Sequence, residues 1–581
     1  MSYRAPLDDL TFAINLAARP GEIDAKGIYA DIAGGVAEAT LSEAAKFAEQ
    51  ALHPLDKVGD RVGARFSDGA VITAPGWREA YEQWTAGGWN ALAASVEHGG
   101  LGLPALLNVA CTEIWNGANM AFALCPLLGH GAIEAIEAHA SDALKEIYLH
   151  RLISGEWTAT MNLTEPQAGS DLALLRTRAE RAGDGTYRLF GQKIFITYGE
   201  HDLTGNIVHL VLARLPDAPA GTRGISLFLV PKFLPDEGGA FKRRNDLRCA
   251  GIEHKLGVHG SPTCTMIYGD AGGATAYLIG EENKGLACMF TMMNNARLAV
   301  GVQGVALAER ATRQALDYAR ERRQGREFEK AGTARSGDPV VPIINHPDVA
   351  RMALTMLALT HAARAICFET AASIDRARRE ADPARAAQEH ERAGLLTPLA
   401  KAFSTDIGNE VASLGVQILG GMGFIEEAGA AQLMRDARIT PIYEGTNGIQ
   451  AIDLVTRKLK LSDGAALRRE IEDMRLILDQ AQGLGDFSPA SEAVQAFDAA
   501  SRYLFDADTG TLLAGATPYL RLFALARGAT LLIKGAAYGD PRRLAIARFF
   551  ADNIAVAAPG LARVVTGGGT SVLDGAAALV A

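Results

Sequence analysis

Cysteine is scarce in this chain and is not spaced to bind anything. The six residues, at 111, 125, 249, 264, 288 and 367, form no CxxC and no Cys/His ligand spacing. That excludes a zinc ribbon or a disulfide scaffold, and it implies reduced thiols in a reducing compartment with no metal site. Excess positive charge is also missing: 57 basic residues stand against 67 acidic ones, a net charge of −10, which argues against wholesale nucleic-acid binding. The 62 glycines follow no fixed period, which removes collagen-like and repeat architectures. No run reaches the ~18 uncharged apolar residues of a membrane span; the most apolar late stretch, 519–537, contains Arg521, Arg527 and Lys534. Asp8 and Asp9 interrupt any apolar run near Met1 and no small-residue cleavage site follows one, so no cleavable signal is expected. No G-x-G-x-x-G follows an early strand, which disfavours a dinucleotide-binding Rossmann unit. A cytoplasmic protein is expected.

What is present reads as a globular chain of three or four domains: 581 residues, 48% hydrophobic and 21% charged. Residues 1–155 show helical spacing over 42–52 and 77–94, broken by the glycine-rich run at 99–104. Short β-rich runs at 187–190, 207–213 and 225–230, bounded by Gly, Pro and Asp, predict a mostly antiparallel unit over 156–284. Helices return over 285–461. In the last part, 462–581, Leu467, Ile471, Met474 and Leu478 form one amphipathic stripe, a break is expected at 486–489, and two or three further helices follow. The class is α+β, mainly α.

Four short segments carry chemistry. Tyr443-Glu444-Gly445-Thr446-Asn447-Gly448 places one carboxylate in a glycine-loosened loop, after a helical stretch that Pro441 closes. A general base needs this combination of rigid support and reach. Met161-Asn162-Leu163-Thr164-Glu165-Pro166-Gln167-Ala168-Gly169-Ser170-Asp171, Lys193-Ile194-Phe195-Ile196-Thr197 and Gln417-Ile418-Leu419-Gly420-Gly421-Met422-Gly423-Phe424 are the others, with the basic run 318–324 between the second and the last. Each is unspecific alone, since a Glu in such a loop is usually a solvated surface residue. In this order and at these separations, from about residue 80 to about 460, they resemble the acyl-CoA dehydrogenase family of flavoproteins.

The resemblance implies an N-terminal helical domain, a central antiparallel β domain and a four-helix domain, here followed by an extra helical region like that of longer family members. It implies FAD as cofactor, an acyl-CoA substrate, α,β-dehydrogenation to a trans-2-enoyl-CoA, and an electron-transferring flavoprotein as acceptor. Glu444 matches the family's base, taking the α-proton while hydride leaves the β-carbon; the alternative base position of some relatives is Ala296 here, which cannot act. Met161, Leu163, Thr164, Gly169 and Ser170 match the segment along the flavin, with Ser170 also flanking the acyl-CoA. Phe195 and Thr197 match the other side of the ring, Phe195 replacing the usual Trp. Arg322, Gln324, Gln417, Gly420 and Gly421 match residues that reach the flavin of a neighbouring subunit, so a homodimer is the minimum assembly. The Phe-Gly that usually follows Gln324 is Gly325-Arg326 here. Thr446 and Asn447 match a flavin-contacting triplet whose usual last Gln is Gly448. Asn294 and Arg297 match the substrate mouth and CoA side, and Tyr443 and Gly445 flank the base.

Segments 199–203, 252–257 and 292–297 resemble bacterial long-form members. Those include enzymes of dimethylsulfoniopropionate breakdown acting on 3-methylmercaptopropionyl-CoA, and broad medium- to long-chain dehydrogenases. A short, medium or thioether acyl-CoA is expected, with medium- or long-chain β-oxidation as the alternative. An acyl-CoA oxidase and a nucleic-acid-binding flavoprotein relative remain as rivals.

Overall fold

The computed structural model describes residues 3–24, 26–326 and 340–580. The chain opens with α1 (Leu7–Ala17), α2 (Val36–Phe47), α3 (His53–Val62), a small hairpin of β1 (Arg65–Ser67) and β2 (Ala70–Ile72), α4 (Trp77–Ala86), α5 (Ala105–His139) and α6 (Asp142–Ile153). The helix expected over 77–94 stops at Ala86, because Gly87 and the left-handed Gly88 (φ 68°) end it. Helix α5 is the axis of this part and is buried on nearly every side. Asp375, from a later helix, caps it by accepting from the N–H groups of Ala105 (2.7 Å) and Leu106 (2.9 Å). At Asn119 (φ −159°, ψ 90°) α5 kinks, and the Asn119 side chain recaps the second half by accepting from Phe122 N (3.0 Å).

The central sheet comprises β3 (Thr158–Asn162), β4 (Arg178–Arg181), β5 (Tyr187–Thr197), β6 (Ile207–Arg214), β7 (Ile225–Pro231), β10 (Leu247–Ile252), β11 (Thr263–Tyr268) and β12 (Ala274–Ile279), with a separate ribbon of β8 (Phe233–Pro235) and β9 (Phe241–Arg244). The strand order is β10-β11-β5-β12-β7-β6-β3, antiparallel except where β3 runs parallel to β6, and β4 pairs antiparallel with β5 and parallel with β6. Strands β6 and β7 are buried on both faces, so their near-continuous apolar runs are what such a position requires.

Three long helices follow: α7 (Gly285–Glu321), α8 (Pro347–Arg379) and α9 (Pro383–Leu419), then α10 (Ala430–Ala437) and α11 (Asn447–Thr456). Helices α7 and α9 run parallel and touch backbone to backbone. A Cβ on Gly301 would overlap the Ala400 carbonyl, one on Gly304 the Ser404 carbonyl, and one on Gly408 would lie 2.9 Å from Gly304 Cα. In an open helix Gly→Ala is favourable by about 1 kcal/mol. At Gly304 we expect the opposite: Gly304→Ala should destabilise by about 1–3 kcal/mol through overpacking, read as a lowered urea midpoint.

The C-terminal part holds α12 (Ala465–Gln480), α13 (Ser488–Phe505), α14 (Thr509–Ala536), α15 (Pro541–Asn553), α16 (Ala558–Gly567) and α17 (Gly569–Val580). Leu467, Ile471 and Met474 of the expected stripe are buried, and Leu478 packs at its edge. Five helices, not two or three, follow the break, because Pro541 and Gly567-Gly568 divide what reads as continuous apolar sequence. By length and composition alone, two segments are long and apolar enough to cross a membrane, α5 and 541–567. Helix α5 is instead buried against α7 and the sheet, and 541–567 is split between α15 and α16.

Candidate active site

The loop carrying Glu444 is short and heavily tied. Helix α10 ends at Ala437, so Pro441 closes a turn and not a long helix. Its carbonyl accepts from Asn447 N (3.0 Å), and Tyr443 N donates to Ile439 O (3.2 Å). Thr446 caps α11 by accepting from Ile449 N (3.1 Å), which leaves its own O–H to donate outward. Within this frame Glu444 adopts φ 58°, a left-handed conformation rare for a residue with a Cβ. Its backbone N–H has no acceptor among the described residues.

Two cations bear on the Glu444 carboxylate, Lys401 of α9 and Arg297 of α7. Burial pushes the carboxyl up to about 7, and the two cations only partly oppose it. Arg297 is buried; its Nη1 donates to Asn294 Oδ1 (3.3 Å), and its guanidinium lies against Gly445. Asn294, Arg297, Tyr443 and Gly445 therefore do converge around Glu444. Behind them the Tyr443 hydroxyl donates to Gln303 Oε1, Gln303 Nε2 to Asn116 Oδ1 (3.0 Å), and Asn116 Nδ2 to Thr112 O (2.8 Å). This polar chain runs between α7 and α5.

Asn447 is placed differently from expectation. Its Nδ2 faces Ala402 O (3.0 Å), Thr405 Oγ1 (3.0 Å) and Asp406 Oδ1 (2.7 Å), and its Oδ1 accepts from Lys401 (2.9 Å). The side chain is spent on α9, and this removes it as a side-chain contact to a flavin.

A second cluster sits where the C-terminal end of β5 meets the loop after β3. Between Ile194 and Phe195 strand β5 bulges against β11. Phe195 takes φ 60° and turns its ring outward, 59% exposed, a re-aimed side chain of the kind bulges supply beside functional sites. The neighbouring Thr164–Ser170 loop is braced from below. Lys193 Nζ donates to Leu163 O (3.0 Å) and Glu165 Oε1 (2.8 Å), and Glu165 also accepts from Arg176 N (2.7 Å), Thr177 N (3.0 Å) and Thr177 Oγ1 (2.6 Å). Burial pushes Glu165 up, but Lys193 and these donors outweigh it and hold it at about 2. The hydroxyls of Thr164, Ser170 and Thr197 have no protein partner among the described residues, and Gly169 and Ser170 are exposed. Met161 is buried in β3 with its side chain in the core, and the Leu163 carbonyl belongs to Lys193.

The third set lies elsewhere. Arg322 and Gln324 follow the end of α7, and Gln417, Gly420 and Gly421 close α9; all five are exposed. Because α7 and α9 run parallel, these ends lie together, about 24 Å along α9 from Lys401 at 1.5 Å per residue. Met422, Phe424 and Ile425 beside them are exposed apolar residues, Phe424 at 83%.

Reading the sequence missed Lys401, Gln303 and Asn116. Lys401 carried a usable signal, a lone charge inside the apolar stretch 395–403, where lysine is buried only for a reason.

Family models for the acyl-CoA dehydrogenase N-terminal, middle and C-terminal domains match residues 37–156, 160–271 and 283–459. The chain is 47% identical to 3-methylmercaptopropionyl-CoA dehydrogenase of Ruegeria pomeroyi, over 99% of each chain. It resembles the structure of Caenorhabditis elegans ACDH-11 in complex with C11-CoA with a TM-score of 0.78 at 20% identity, covering 96% of this chain and 92% of that one. A chain from work on the electron transferring flavoprotein of Acidaminococcus fermentans matches at 26% identity and a TM-score of 0.58, covering 72% and 96%. On the order of its domains and the length of this identity, the chain belongs to the acyl-CoA dehydrogenase family.

Proposed function

We propose that this chain oxidises a short acyl-CoA, 3-methylmercaptopropionyl-CoA being the substrate of best fit, with Glu444 as the base. The reaction class is the family's: FAD-dependent α,β-dehydrogenation of an acyl-CoA thioester to the trans-2-enoyl-CoA. The carrying observation is Glu444 itself. It is a carboxyl raised to about 7, held in a left-handed turn, with a backbone N–H that has no acceptor among the described residues. A base poised near the working pH transfers protons best. The N–H supplies a preorganised donor for the negative charge that grows on the thioester oxygen as the α-proton leaves.

The cluster at the end of β5 fits a flavin. An outward aromatic face stands beside three unspent hydroxyls, and hydroxyls both donate and accept, as the edge of that ring requires. Thr164, Ser170, Phe195 and Thr197 would hold the ring, with Thr446 donating from the catalytic loop. When bound, FAD supplies the hydride acceptor that no side chain provides. The separation of Arg322, Gln324, Gln417, Gly420 and Gly421 from Glu444, with exposed Phe424 among them, supports a homodimer in which these ends complete a neighbour's site. An electron-transferring flavoprotein as acceptor has support in the Acidaminococcus match. Six buried free thiols suit a cytoplasmic setting.

Short acyl length is argued from the Tyr443–Gln303–Asn116 chain. A long alkyl tail entering behind Glu444 would have to break buried hydrogen bonds at about 1–3 kcal/mol per unsatisfied group. A panel of acyl-CoAs scored by anaerobic flavin bleaching tests this. 3-Methylmercaptopropionyl-CoA and butyryl-CoA should react faster than octanoyl- and palmitoyl-CoA, and Gln303→Ala should shift the preference toward longer chains. Fastest bleaching by palmitoyl-CoA would refute the reading, and rapid reoxidation in air would identify an oxidase.

A further inference from the structure

Lys401 is a fully buried lysine with unfinished hydrogen bonding. Its ammonium carries three N–H donors, and one goes to Asn447 Oδ1 at 2.9 Å. No acceptor among the described residues takes the other two. Burying an ammonium is costly unless an anion answers it. The anions that bear on it electrostatically are Glu444, three residues before Asn447 on the neighbouring loop, and Asp406, just over one turn along its own helix and exposed. Asp406 is engaged by Asn447 Nδ2 at 2.7 Å. Arg297 of α7 faces both Lys401 and Glu444.

We propose that Lys401 is the positioning residue of the Glu444 base: fixed by Asn447, its ammonium keeps the desolvated Glu444 carboxylate ionised, and so able to accept a proton, at neutral pH. The inference rests on Glu444 acting as the base. Asn447 links the two directly, since it anchors the lysine and lies three residues after Glu444 on the same loop. Thr405 and Ala402, on the same face of α9 as Lys401, hold Asn447 from the other side. One amide therefore sets both the aim of the cation and the seat of the loop. Burial lowers Lys401 to about 7 and raises Glu444 to about 7, and the charge of each partly opposes the shift of the other.

Lys401→Gln keeps a donor toward Asn447 and removes the charge. In the holoenzyme, the acid limb of kcat/KM for butyryl-CoA should move up by about one pH unit or more. Turnover should be roughly tenfold lower at pH 7 and recover toward wild type near pH 9, a unit of pKa being a factor of ten. The protonated-carboxyl infrared band that Glu444→Gln abolishes should persist to correspondingly higher pH in Lys401→Gln without substrate. Asn447→Ser, which leaves the lysine but removes its anchor, should shift the limb the same way by less, and serves if Lys401→Gln does not fold. A loss uniform across pH, with limb and band unmoved, would overturn the proposal and leave Lys401 a structural residue. If Glu444→Gln itself retains turnover, the base assignment falls first. If Glu444→Gln is inactive and the limb in Lys401→Gln stays put, only the lysine proposal falls.

Discussion

Glu444→Gln should abolish most turnover while leaving the protein folded and yellow. The amide matches the carboxyl in size and cannot accept the α-proton, so kcat should fall by about 10²–10⁴-fold, the usual worth of a positioned base. Butyryl-CoA should still bind, because Arg297, Tyr443 and the backbone N–H are untouched; the loss then lies in kcat and not in KM. Stability should respond in the opposite direction. A carboxyl raised in the folded state favours folding when protonated; its contribution is complete below its ordinary 4.5 and is lost as pH rises through about 7. At pH 8 the Gln variant should therefore melt at or above the wild-type temperature, and at pH 5 the two should nearly coincide. Thermal melts across that range, run beside the kinetics, separate a lost base from a damaged fold.

The second large effect is structural. Glu470 of α12 is buried between two arginines: Oε2 pairs with Arg392 Nε of α9 (2.9 Å) and Oε1 with Arg527 Nε of α14 (2.9 Å). Arg392 continues to Glu369 of α8 (3.0 Å), which also takes Lys534 (3.0 Å), and Arg527 continues to Asp473 (2.7 Å). Three cations and three anions thus balance across the seam between the long helices and the C-terminal part. Glu470→Ala leaves the half-buried Arg392 with Glu369 and the buried Arg527 with Asp473 alone, at an expected cost of about 3 kcal/mol. The double variant Glu470→Met/Arg527→Met should cost less than Glu470→Ala alone, because it removes charge from both sides. Urea unfolding of the two variants checks the order. Burial pushes Glu369 up, but Arg392 and Lys534 hold it well below the usual carboxylate range. The stability it contributes is present above about 4.5 and lost as pH falls further, so this seam should be the acid-labile one.

Local features of the site were legible in the sequence, and cross-chain ones were not. Glu444, Thr446 and the Thr164–Ser170 loop were readable because residues near in sequence form them. Lys401 and Gln303 meet the Glu444 loop only through helix packing, across 46 and 140 positions. Asn447 was read as a flavin contact from its place in a triplet resembling the family's, and only the packing of α11 on α9 shows its amide directed to α9. The exposure of Phe195 depends on a bulge set by the register between β5 and β11, and no single strand's pattern reveals it. The C-terminal helices were undercounted for a related reason: turns inside apolar sequence are set by what they pack against.

The bare contact of Gly301 and Gly304 with α9 has a bearing on catalysis. Arg297 lies one turn before Gly301, and Lys401 directly follows the Ala400 carbonyl that Gly301 touches. The spacing of the two charges around the base is thus fixed by main chain against main chain, with no flexible side chain between to absorb a shift. A shift of one helix along the other would therefore carry its charge with it, so the field at the Glu444 carboxyl is tied to the packing of two backbones.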